Sequence, residues 1–452
     1  MLYHSIYPYT GETIAEYPIM TANAINYRLK LAESAFKDWK QTDYKTRSAI
    51  FMQVASILKR DEQLLATLIT QEMGKLFSEA LAELAKCATV CTHYALHAAQ
   101  YLQDEILEAG YHQSLLTYEP IGCVLGIMPW NFPFWQVFRY AVPTLMAGNV
   151  TLLKHAPNVC GCALMIEKIF IEAGLPAGVF QVLIVETATV EKLLEATIVQ
   201  AVSLTGSERA GSSVAMLAGK NIKKSVLELG GSDALIVLPD ADMQRVAKTA
   251  LQSRMLNAGQ SCIGAKRLII LASAMDQFMQ EIVALLPTFT TGDPFNINTK
   301  IAPLARIDLA ENLQRQLQQS INKGAVVNFG GSWDGCIFSA TVLTDVQQGM
   351  PAFEEETFGP MAAIISAKDE AAAIELANDS AYGLGGSIWT SDIEKGVALA
   401  KQINTGSVFI NTLVKSDPKL PIGGIKKSGY GRELGRQGML EFVNTKTIVV
   451  SI

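Results

Sequence analysis

The sequence predicts an α/β protein built from two doubly wound α/β domains and a small additional β element. Short apolar runs alternate with amphipathic helical stretches, a pattern typical of parallel sheets covered by helices on both faces. The alternation occurs in two series, over residues 121–229 and again over residues 234–410. A length of 452 residues also favours two or three domains over a single core.

In the first series, helices precede the strands. Residues 21–103 carry apolar side chains at three- and four-residue spacing, which indicates amphipathic helices. A further helical stretch over 134–146 separates the first two predicted strands, and amphipathic helices separate the later ones. The predicted strands lie at 121–128, 150–154, 179–185, 201–204 and 225–229.

The second series opens with the apolar run A-L-I-V-L at 234–238, followed by a helix over 241–256 and a strand over 266–271. Outside both series, segment 108–119 and the tail 437–452 contain strand-like pieces. Free strand edges invite pairing with another subunit, so we expect a homodimer or homotetramer.

The charge balance argues against two classes of partner. A formal net charge of -6 without a basic run disfavours nucleic acid and anionic membrane surfaces. Residues 1–17 have neither the basic flank nor the apolar core of a leader peptide. No run reaches the roughly 18 apolar residues of a membrane-spanning helix. We therefore expect a cytoplasmic protein that acts on a small molecule.

The seven cysteines form an odd set without a C-x-x-C pair, which favours reduced thiols over a disulfide framework. Cys87, Cys91, His93 and His97 fall near one another on a predicted helix and could be imagined as metal ligands. Zinc sites usually show tighter paired spacings, so we interpret these four as ordinary buried side chains and expect no metal.

Three short motifs carry candidate catalytic groups. G-Q-S-C at 259–262 places Cys262 between a helix and a strand, where a thiol can face a cleft; a free cysteine is otherwise a small core residue. E-L-G-G ends an apolar strand with Glu228, whose alternative role is that of a paired or solvent-facing acid. P-W-N-F-P holds Asn131 between two prolines, either as an oxyanion donor or as a turn former.

Five motifs in this order resemble the aldehyde dehydrogenase superfamily, with closest similarity to succinate-semialdehyde dehydrogenases. They lie at 129–133, 204–207, 228–231, 259–262 and 356–360, and the similarity extends from T-G-E near Thr10 to K-K-S-G-Y-G-R-E at 426–433. The resemblance implies an aldehyde dehydrogenase fold. It assigns residues 1–107 and 120–229 to a dinucleotide-binding domain, 230–428 to a catalytic domain, and 108–119 with 437–452 to an oligomerisation ribbon and tail.

The resemblance also implies NAD(P)-dependent oxidation of an aldehyde to an acid. Cys262 as thiolate attacks the carbonyl, and the Asn131 amide with the Cys262 backbone N–H holds the oxyanion. Hydride leaves for the nicotinamide, and Glu228 acts as general base on the water that hydrolyses the thioester. An acylating enzyme that uses coenzyme A is disfavoured because Glu228 is present.

The usual G-x-G-x-x-G fingerprint is absent, and T-G-S-E-R-A-G at 205–211 takes its place where a strand gives way to a helix. A helix N-terminus at Gly206 and Ser207 offers N–H groups to a pyrophosphate. The resemblance further assigns Lys154 to the adenosine ribose and Glu356 to the nicotinamide ribose. Two aromatic residues are expected to line the site: Trp130 and Phe358.

NAD and NADP are both permitted as cofactors. Many NAD-preferring relatives carry an acid three residues after the lysine, where this chain has Pro157. No carboxylate is then present to repel a 2'-phosphate. Lys154 with His155 could favour NADP, although the alternative interpretation of His155 is a solvated loop residue.

Arg139 lies on the helix after Asn131 and, by resemblance to succinate-semialdehyde dehydrogenases, receives the distal carboxylate of the substrate. Its alternative is a structural ion pair. The second arginine of some relatives is replaced by Leu256, with Arg254 two positions earlier. Two loop residues could complete the substrate site: Lys415 and Ser416.

A second hypothesis is an aldehyde dehydrogenase for another small aliphatic or aromatic aldehyde, with Phe132, Phe134 and Trp135 shaping an apolar pocket. A third hypothesis is a binding or structural protein that keeps the fold without turnover. The complete set of Cys262, Glu228 and Asn131 argues against the third, because loss of function leaves such a set free to drift.

Overall fold

A computed structural model describes all residues, 1–452. Four helices in succession confirm the helical prediction for residues 21–103. Two of them begin at capping side chains, since Thr21 accepts the N–H of Ala24 and Asp43 accepts that of Thr46. The first elements are β1 (Leu2–Ile6), β2 (Thr13–Pro18), α1 (Ala22–Trp39), α2 (Tyr44–Arg60), α3 (Glu62–Met73), α4 (Phe77–Tyr101), β3 (Glu105–Ile106) and β4 (Gln113–Pro120).

The first predicted series forms a parallel sheet with strand order β9-β8-β5-β6-β7. Its elements are β5 (Cys123–Met128), α5 (Trp135–Met146), β6 (Val150–His155), α6 (Cys160–Glu172), β7 (Phe180–Val182), α7 (Thr189–Glu195), β8 (Val199–Thr205), α8 (Glu208–Lys220) and β9 (Lys224–Glu228). Strand β7 is shorter than the predicted 179–185, because the carbonyls of Ile184 and Val185 bond to Met20 and Tyr3 of the N-terminal segment instead of the sheet.

The second predicted series forms a seven-stranded sheet with order β12-β15-β16-β11-β10-β17-β18, in which only β12 runs antiparallel to its neighbour. Its elements, with a small hairpin of β13 and β14, are β10 (Asp233–Val237), α9 (Met243–Met255), β11 (Ala265–Leu271), α10 (Met275–Leu285), α11 (Ile307–Asn322), β12 (Val326–Phe329), β13 (Trp333–Asp334), β14 (Ile337–Phe338), β15 (Thr341–Thr344), α12 (Pro351–Glu354), β16 (Met361–Ala367), α13 (Glu370–Asn378), β17 (Gly385–Trp389), α14 (Ile393–Ala400) and β18 (Ser407–Ile410).

The chain then returns to the first sheet, which the sequence did not predict. The last elements are β19 (Gly429–Tyr430), α15 (Gly435–Leu440) and β20 (Val443–Val450). Strand β19 pairs antiparallel with β9, and the Ser428 hydroxyl donates to the Gly230 carbonyl at 2.6 Å. The two strand-like pieces outside the series pair with each other, since β20 runs antiparallel to β4 through eight residue pairs.

Two hydrophobic cores accompany the two large sheets. One core contains Leu229 and the other begins at Ala234, so the change of core falls at the E-L-G-G crossing. No helix joins β9 to β10 here. We propose that the domain boundaries expected from the sequence apply, with the division between residues 229 and 230.

None of the helices combines the length and the apolar character required to span a bilayer. All seven cysteines are free thiols.

Candidate active site

Cys262 lies in the turn between α9 and β11, and the backbone before it is strongly constrained. Asn257 and Ala258 adopt positive φ angles of 54° and 52°, and Gly259 follows with 73°. A Cβ atom on Gly259 would lie 2.1 Å from the carbonyl oxygen of Gly359. Glycine is therefore required where the G-Q-S-C turn meets the E-x-F-G-P loop.

Lys266 orients the peptide groups around the nucleophile. Its buried ammonium donates to the carbonyls of Ser261 at 2.8 Å and Cys262 at 2.7 Å. In a trans peptide the N–H points away from the preceding carbonyl, so the Cys262 N–H is directed away from Lys266. This N–H donates no hydrogen bond within the chain and is available to a ligand.

The Cys262 thiol is half-buried and surrounded by charges of both signs. Burial raises its pKa to about 11, against the lowering effect of Arg139 and Lys266, while Glu356 and Glu228 add to the rise. The thiol is therefore protonated at neutral pH in the absence of ligands. Its reactivity depends on how these opposing charges are balanced.

Asn131 is buried beside the nucleophile turn in the loop between β5 and α5. Its Nδ2 donates to the Gln260 backbone carbonyl at 3.0 Å. The backbone carbonyl of Asn131 accepts from Asn257 Nδ2 at 2.8 Å. An amide nitrogen carries two hydrogens, so one remains free. Asn131 and Cys262 thus each present an unused N–H donor.

His155 fixes the same loop from strand β6. Its Nε2 donates to the Pro133 carbonyl at 2.8 Å, and its Nδ1 accepts the N–H of Ala156 at 2.9 Å. Burial lowers the pKa of His155 to about 4, so the ring is neutral. Both sequence-based interpretations of His155 are wrong, because the ring is a buried structural group, neither solvated nor a phosphate ligand.

Glu228 ends β9 as a buried acid, and its Oε1 has no hydrogen-bond partner. Burial raises the pKa of this carboxyl to about 8; Arg139 opposes the rise and Glu433 adds to it. A carboxyl with this pKa can accept and release a proton near neutral pH.

Arg139 of α5 is buried in a cluster of acids of this chain. Its guanidinium forms an ion pair with Glu433, lies 3.8 Å from Glu228 and donates to the Thr205 hydroxyl at 3.2 Å. Sequence analysis favoured a substrate-carboxylate clamp, but these contacts support its alternative, a structural ion pair. The guanidinium still lines the cleft beside Cys262.

The two other positions considered for the carboxylate clamp differ in where their side chains lie. Leu256 lines the cleft and is 43% exposed. Arg254 points away from the cleft, since its guanidinium is buried and donates to the carbonyls of Thr357, Gly359 and Met361. Arg254 therefore holds the E-x-F-G-P loop and does not replace the missing arginine.

A cavity of about 600 Å³ opens onto Cys262 and contains the predicted substrate residues. Phe132, Trp135 and Ser416 line its wall, as does the exposed Lys415. The prediction that Phe134 shapes an apolar pocket is wrong, because this side chain is fully buried and stacks on Phe138. Asn131 and Glu228 are buried and are not among the residues that line this cavity.

A second cavity, of about 640 Å³, lies at the start of α8. Ser207 caps this helix by accepting the N–H of Ala210, with Gly206 immediately before it. Glu356 lines the same cavity, and a Cβ atom on Gly230 would lie 2.5 Å from its carboxylate. A bare backbone and a helix N-terminus are suited to close approach of a pyrophosphate.

Lys154 is the penultimate residue of β6, and Pro157 lies two residues beyond the end of this strand. Lys154 is buried, and its ammonium has no hydrogen bond or ion pair with any group of the chain. Burial lowers the pKa of Lys154. Pro157 is exposed and starts a short 3-10 turn. An unpaired buried cation fits a polar ligand such as a ribose or a phosphate.

Trp130 and Phe358 contact each other edge to face, with ring centroids 5.8 Å apart. They connect the P-W-N-F-P loop to the E-x-F-G-P loop. The neighbouring Glu356 accepts the N–H of Gly231 at 3.0 Å. The motifs of the two domains are thereby joined around one cleft.

Sequence reasoning missed three charged residues of this site: Lys86, Lys266 and Glu433. Glu433 belongs to K-K-S-G-Y-G-R-E, so that motif was a signal, although its partner Arg139 was not foreseeable. Lys266 lies in a predicted strand and Lys86 in a predicted helix, where a lysine is unremarkable. Lys266 reaches Cys262 through a local contact four residues apart, whereas only tertiary contacts place Lys86 at the same cavity.

Comparison with known proteins gives a consistent result. Residues 2–448 match the model of the aldehyde dehydrogenase family. A Synechocystis protein named "Probable succinate-semialdehyde dehydrogenase [NADP(+)]" is 45% identical over 99% of both chains. The Escherichia coli succinate semialdehyde dehydrogenase Sad, named as NAD(P)+-dependent, is 42% identical over 98% of this chain and 97% of its own. The Streptococcus pyogenes succinic semialdehyde dehydrogenase, solved in complex with NADP+, superposes with a TM-score of 0.98 at 38% identity over 100% of both chains.

The charges around Cys262 predict opposite effects of two substitutions on its alkylation by iodoacetamide at about pH 9, where Glu228 is ionised. Arg139→Met removes a positive charge, raises the thiol pKa and should slow alkylation roughly 3- to 10-fold. Glu228→Gln removes a negative charge and should accelerate it. Mass spectrometry of the peptide that contains Cys262 gives both rates.

Cys336 is the internal control, because it is half-buried outside the cleft and its rate should not change. Thermal unfolding shows whether each variant is folded. Changes of the same sign in the two variants would contradict the electrostatic account.

Proposed function

The chain belongs to the aldehyde dehydrogenase family, and from this premise we propose that it oxidises succinate semialdehyde to succinate, with NADP as the preferred cofactor. The proposal is carried by one arrangement, a half-exposed Cys262 thiol beside two unused N–H donors. An electrophilic carbonyl carbon at the sulfur then has donors ready for its oxygen. This arrangement suits addition of a thiolate to an aldehyde.

In the first step, the Cys262 thiol loses its proton to solvent water, the thiolate sulfur forms a bond to the aldehyde carbon and the carbonyl π electrons move to oxygen. The Cys262 N–H and the free Asn131 N–H hold the oxyanion of the resulting thiohemiacetal. Arg139 and Lys266 favour the thiolate by their charge. These donors are already oriented by the protein, so little reorganisation is needed as charge develops.

A bound NADP or NAD would supply the acceptor for the hydride that leaves the thiohemiacetal carbon. We propose Ser207, Gly206, Lys154 and Glu356 as the residues that hold the dinucleotide. Trp130, Phe358 and Pro157 complete its surroundings. The unpaired Lys154 and the absence of a carboxylate at residue 157 favour the 2'-phosphate of NADP.

Loss of hydride leaves a thioester on Cys262, and Glu228 completes the reaction. Its carboxylate accepts a proton from water, whose oxygen adds to the acyl carbon. The carbon–sulfur bond then breaks, the thiolate is restored and the carboxylic acid is released. With a carboxyl pKa of about 8, Glu228 becomes an increasingly effective base as the pH rises through that value.

The cavity wall supports an acid-bearing aldehyde. Three lysines, Lys86, Lys300 and Lys415, line the cavity with Arg139, and Glu79 is the only acid among the lining residues. Excess positive charge attracts a substrate carboxylate into the cleft. Relatives named for succinate semialdehyde at 41–45% identity favour the same substrate.

We also propose a cytoplasmic homodimer or homotetramer. Strand β20 has β4 on one side and an open edge on the other. Ile448, Val449 and Val450 near this edge are 40%, 47% and 38% exposed. An apolar open edge is suited to continuation by a second subunit. Seven free thiols are consistent with a reducing compartment.

The proposed substrate and cofactor are tested by steady-state rates of the purified protein with succinate semialdehyde and its neutral analogue butanal. We expect kcat/KM to favour the acid by at least roughly 10-fold, NADP to be preferred to NAD, and added coenzyme A to leave the product unchanged. Cys262→Ala is the inactive control. Better oxidation of butanal or an aromatic aldehyde would instead support the second hypothesis.

Glu228→Gln should separate the two halves of the reaction. Without the base, hydrolysis is expected to slow roughly 100-fold or more, so one equivalent of NADPH should form rapidly while an acylated Cys262 accumulates. Rapid-mixing absorbance and intact-protein mass measure both. Glu191→Gln, which changes an exposed carboxylate paired with Lys220, is the control.

The pH profile adds a second readout. Because the Glu228 pKa is raised to about 8, its ionised fraction grows as pH rises through that value. Wild-type hydrolysis should therefore increase over this range, and the increase should vanish in Glu228→Gln. Undiminished turnover in the variant would remove Glu228 from the mechanism.

Assembly is tested by sedimentation. The wild-type mass should be two or four times the chain mass of 49.0 kDa. Charges introduced by Ile448→Glu with Val450→Glu should oppose pairing of β20 and lower the mass. A wild-type monomer would contradict the proposal.

A further inference from the structure

The cavity next to Cys262 contains a lysine that none of the sequence motifs includes. Lys86 projects from α4 into this cavity and is half-buried. Its ammonium lies 4.1 Å from the centroid of the Trp135 ring and donates to the Ser416 hydroxyl at 2.5 Å. Two elements distant in sequence thus hold this cation at the substrate wall.

Lys86 has no carboxylate partner. None of the ion pairs in the chain includes it, although the nearby Arg139 is paired with Glu433. Burial lowers the pKa of Lys86 to about 8 and Arg139 adds to the lowering, while Cys87, Glu83 and Asp417 oppose it. The side chain therefore remains cationic at neutral pH. A desolvated cation without an anion is costly unless a ligand supplies one.

Lys86 and Ser416 each keep a hydrogen-bond donor for that ligand. An ammonium has three N–H groups; one is used by Ser416 and another faces the Trp135 ring, so one remains. Ser416 accepts from Lys86 and its own hydroxyl hydrogen has no acceptor in the chain. One N–H and one O–H are therefore available side by side, a pair that matches the two oxygens of a carboxylate.

We propose that Lys86, held in place by Ser416, binds the distal carboxylate of the substrate and determines the preference for an acid-bearing aldehyde. This inference rests on the proposed function. It explains how the enzyme tolerates Leu256 where some relatives carry a second arginine, because the positive charge comes from α4 instead. Arg139 then serves mainly to position Glu228 and to balance its charge.

The test compares succinate semialdehyde with butanal in wild type and Lys86→Met. Loss of a charge-assisted contact should lower kcat/KM for the acid roughly 10- to 100-fold, mostly through KM. The loss for butanal should be at least about 10-fold smaller, since butanal has no carboxylate. Lys86→Arg keeps the charge and should restore much of the preference, and Ser416→Ala should lose part of it.

Lys300→Met is the matched control. Lys300 lines the rim of the same cavity but is exposed, and its only hydrogen bond is to the Ile297 carbonyl at 3.4 Å. Because Lys300 is exposed and contributes only to the general positive charge of the cavity, its loss should lower kcat/KM for the acid by less than about 3-fold. An effect of Lys300→Met equal to that of Lys86→Met would assign the preference to general steering and overturn the proposal.

A second measurement does not depend on turnover. Succinate bound at Lys86 should slow the alkylation of Cys262 by iodoacetamide in wild type and in Lys86→Arg, but not in Lys86→Met. Lys86→Gln replaces Lys86→Met should the latter fail to fold. Equal protection in all variants would place the carboxylate elsewhere.

The possible failures are distinguishable. A wild-type enzyme without preference for the acid would contradict the proposed substrate before any variant is made. A clear wild-type preference that persists in Lys86→Met would leave the proposed function standing and refute the role of Lys86. Equal losses for the acid and for butanal would show a structural role only.

Discussion

The active site depends on one buried guanidinium, that of Arg139, which joins three distant parts of the chain. It contacts Glu228 at the end of β9, Glu433 in the returning C-terminal segment and Thr205 at the end of β8. Removing one partner of such a cluster leaves the others buried and unpaired, at a cost of about 3–5 kcal/mol. The same charge opposes the burial-induced rise in the pKa of both Glu228 and Cys262, so this residue has a structural and a chemical role at once.

The site is formed where the two large sheets meet. The first sheet supplies Glu228 and the loop of Asn131, whereas Cys262 comes from the second. Only the short E-L-G-G segment passes between them at this point, and the Ser428 hydroxyl fixes its backbone. Ligand clefts at the carboxyl ends of parallel strands are a general property of open α/β sheets. Glu228 lies at such a carboxyl end, whereas Cys262 lies just before the amino end of β11, so the first sheet contributes a carboxyl end to the site and the second sheet an amino end.

Helix α4 supports this cleft with one face. Glu79, Glu83 and Lys86 follow at four- and three-residue spacing and so lie on the same side of the helix. Glu79 accepts the N–H of Asn257 at 3.0 Å, and Glu83 accepts the N–H groups of Phe134 and Trp135 at 2.8 and 2.9 Å. A single rigid element therefore positions the nucleophile turn, the start of α5 and, through Lys86, the substrate wall.

The sequence by itself determined the fold class, the order of helices and strands, and the identity of Cys262, Glu228 and Asn131 as the candidate catalytic set. Those features depend on local periodicity and short motifs, which are contiguous in the chain. Only the tertiary structure decided the partners of each charge: Arg139 with Glu433, His155 inside the P-W-N-F-P loop, and Lys86 beside Ser416. The physical reason is that the pKa and role of a charged side chain are set by burial and by neighbours distant in sequence, and folding alone brings these together.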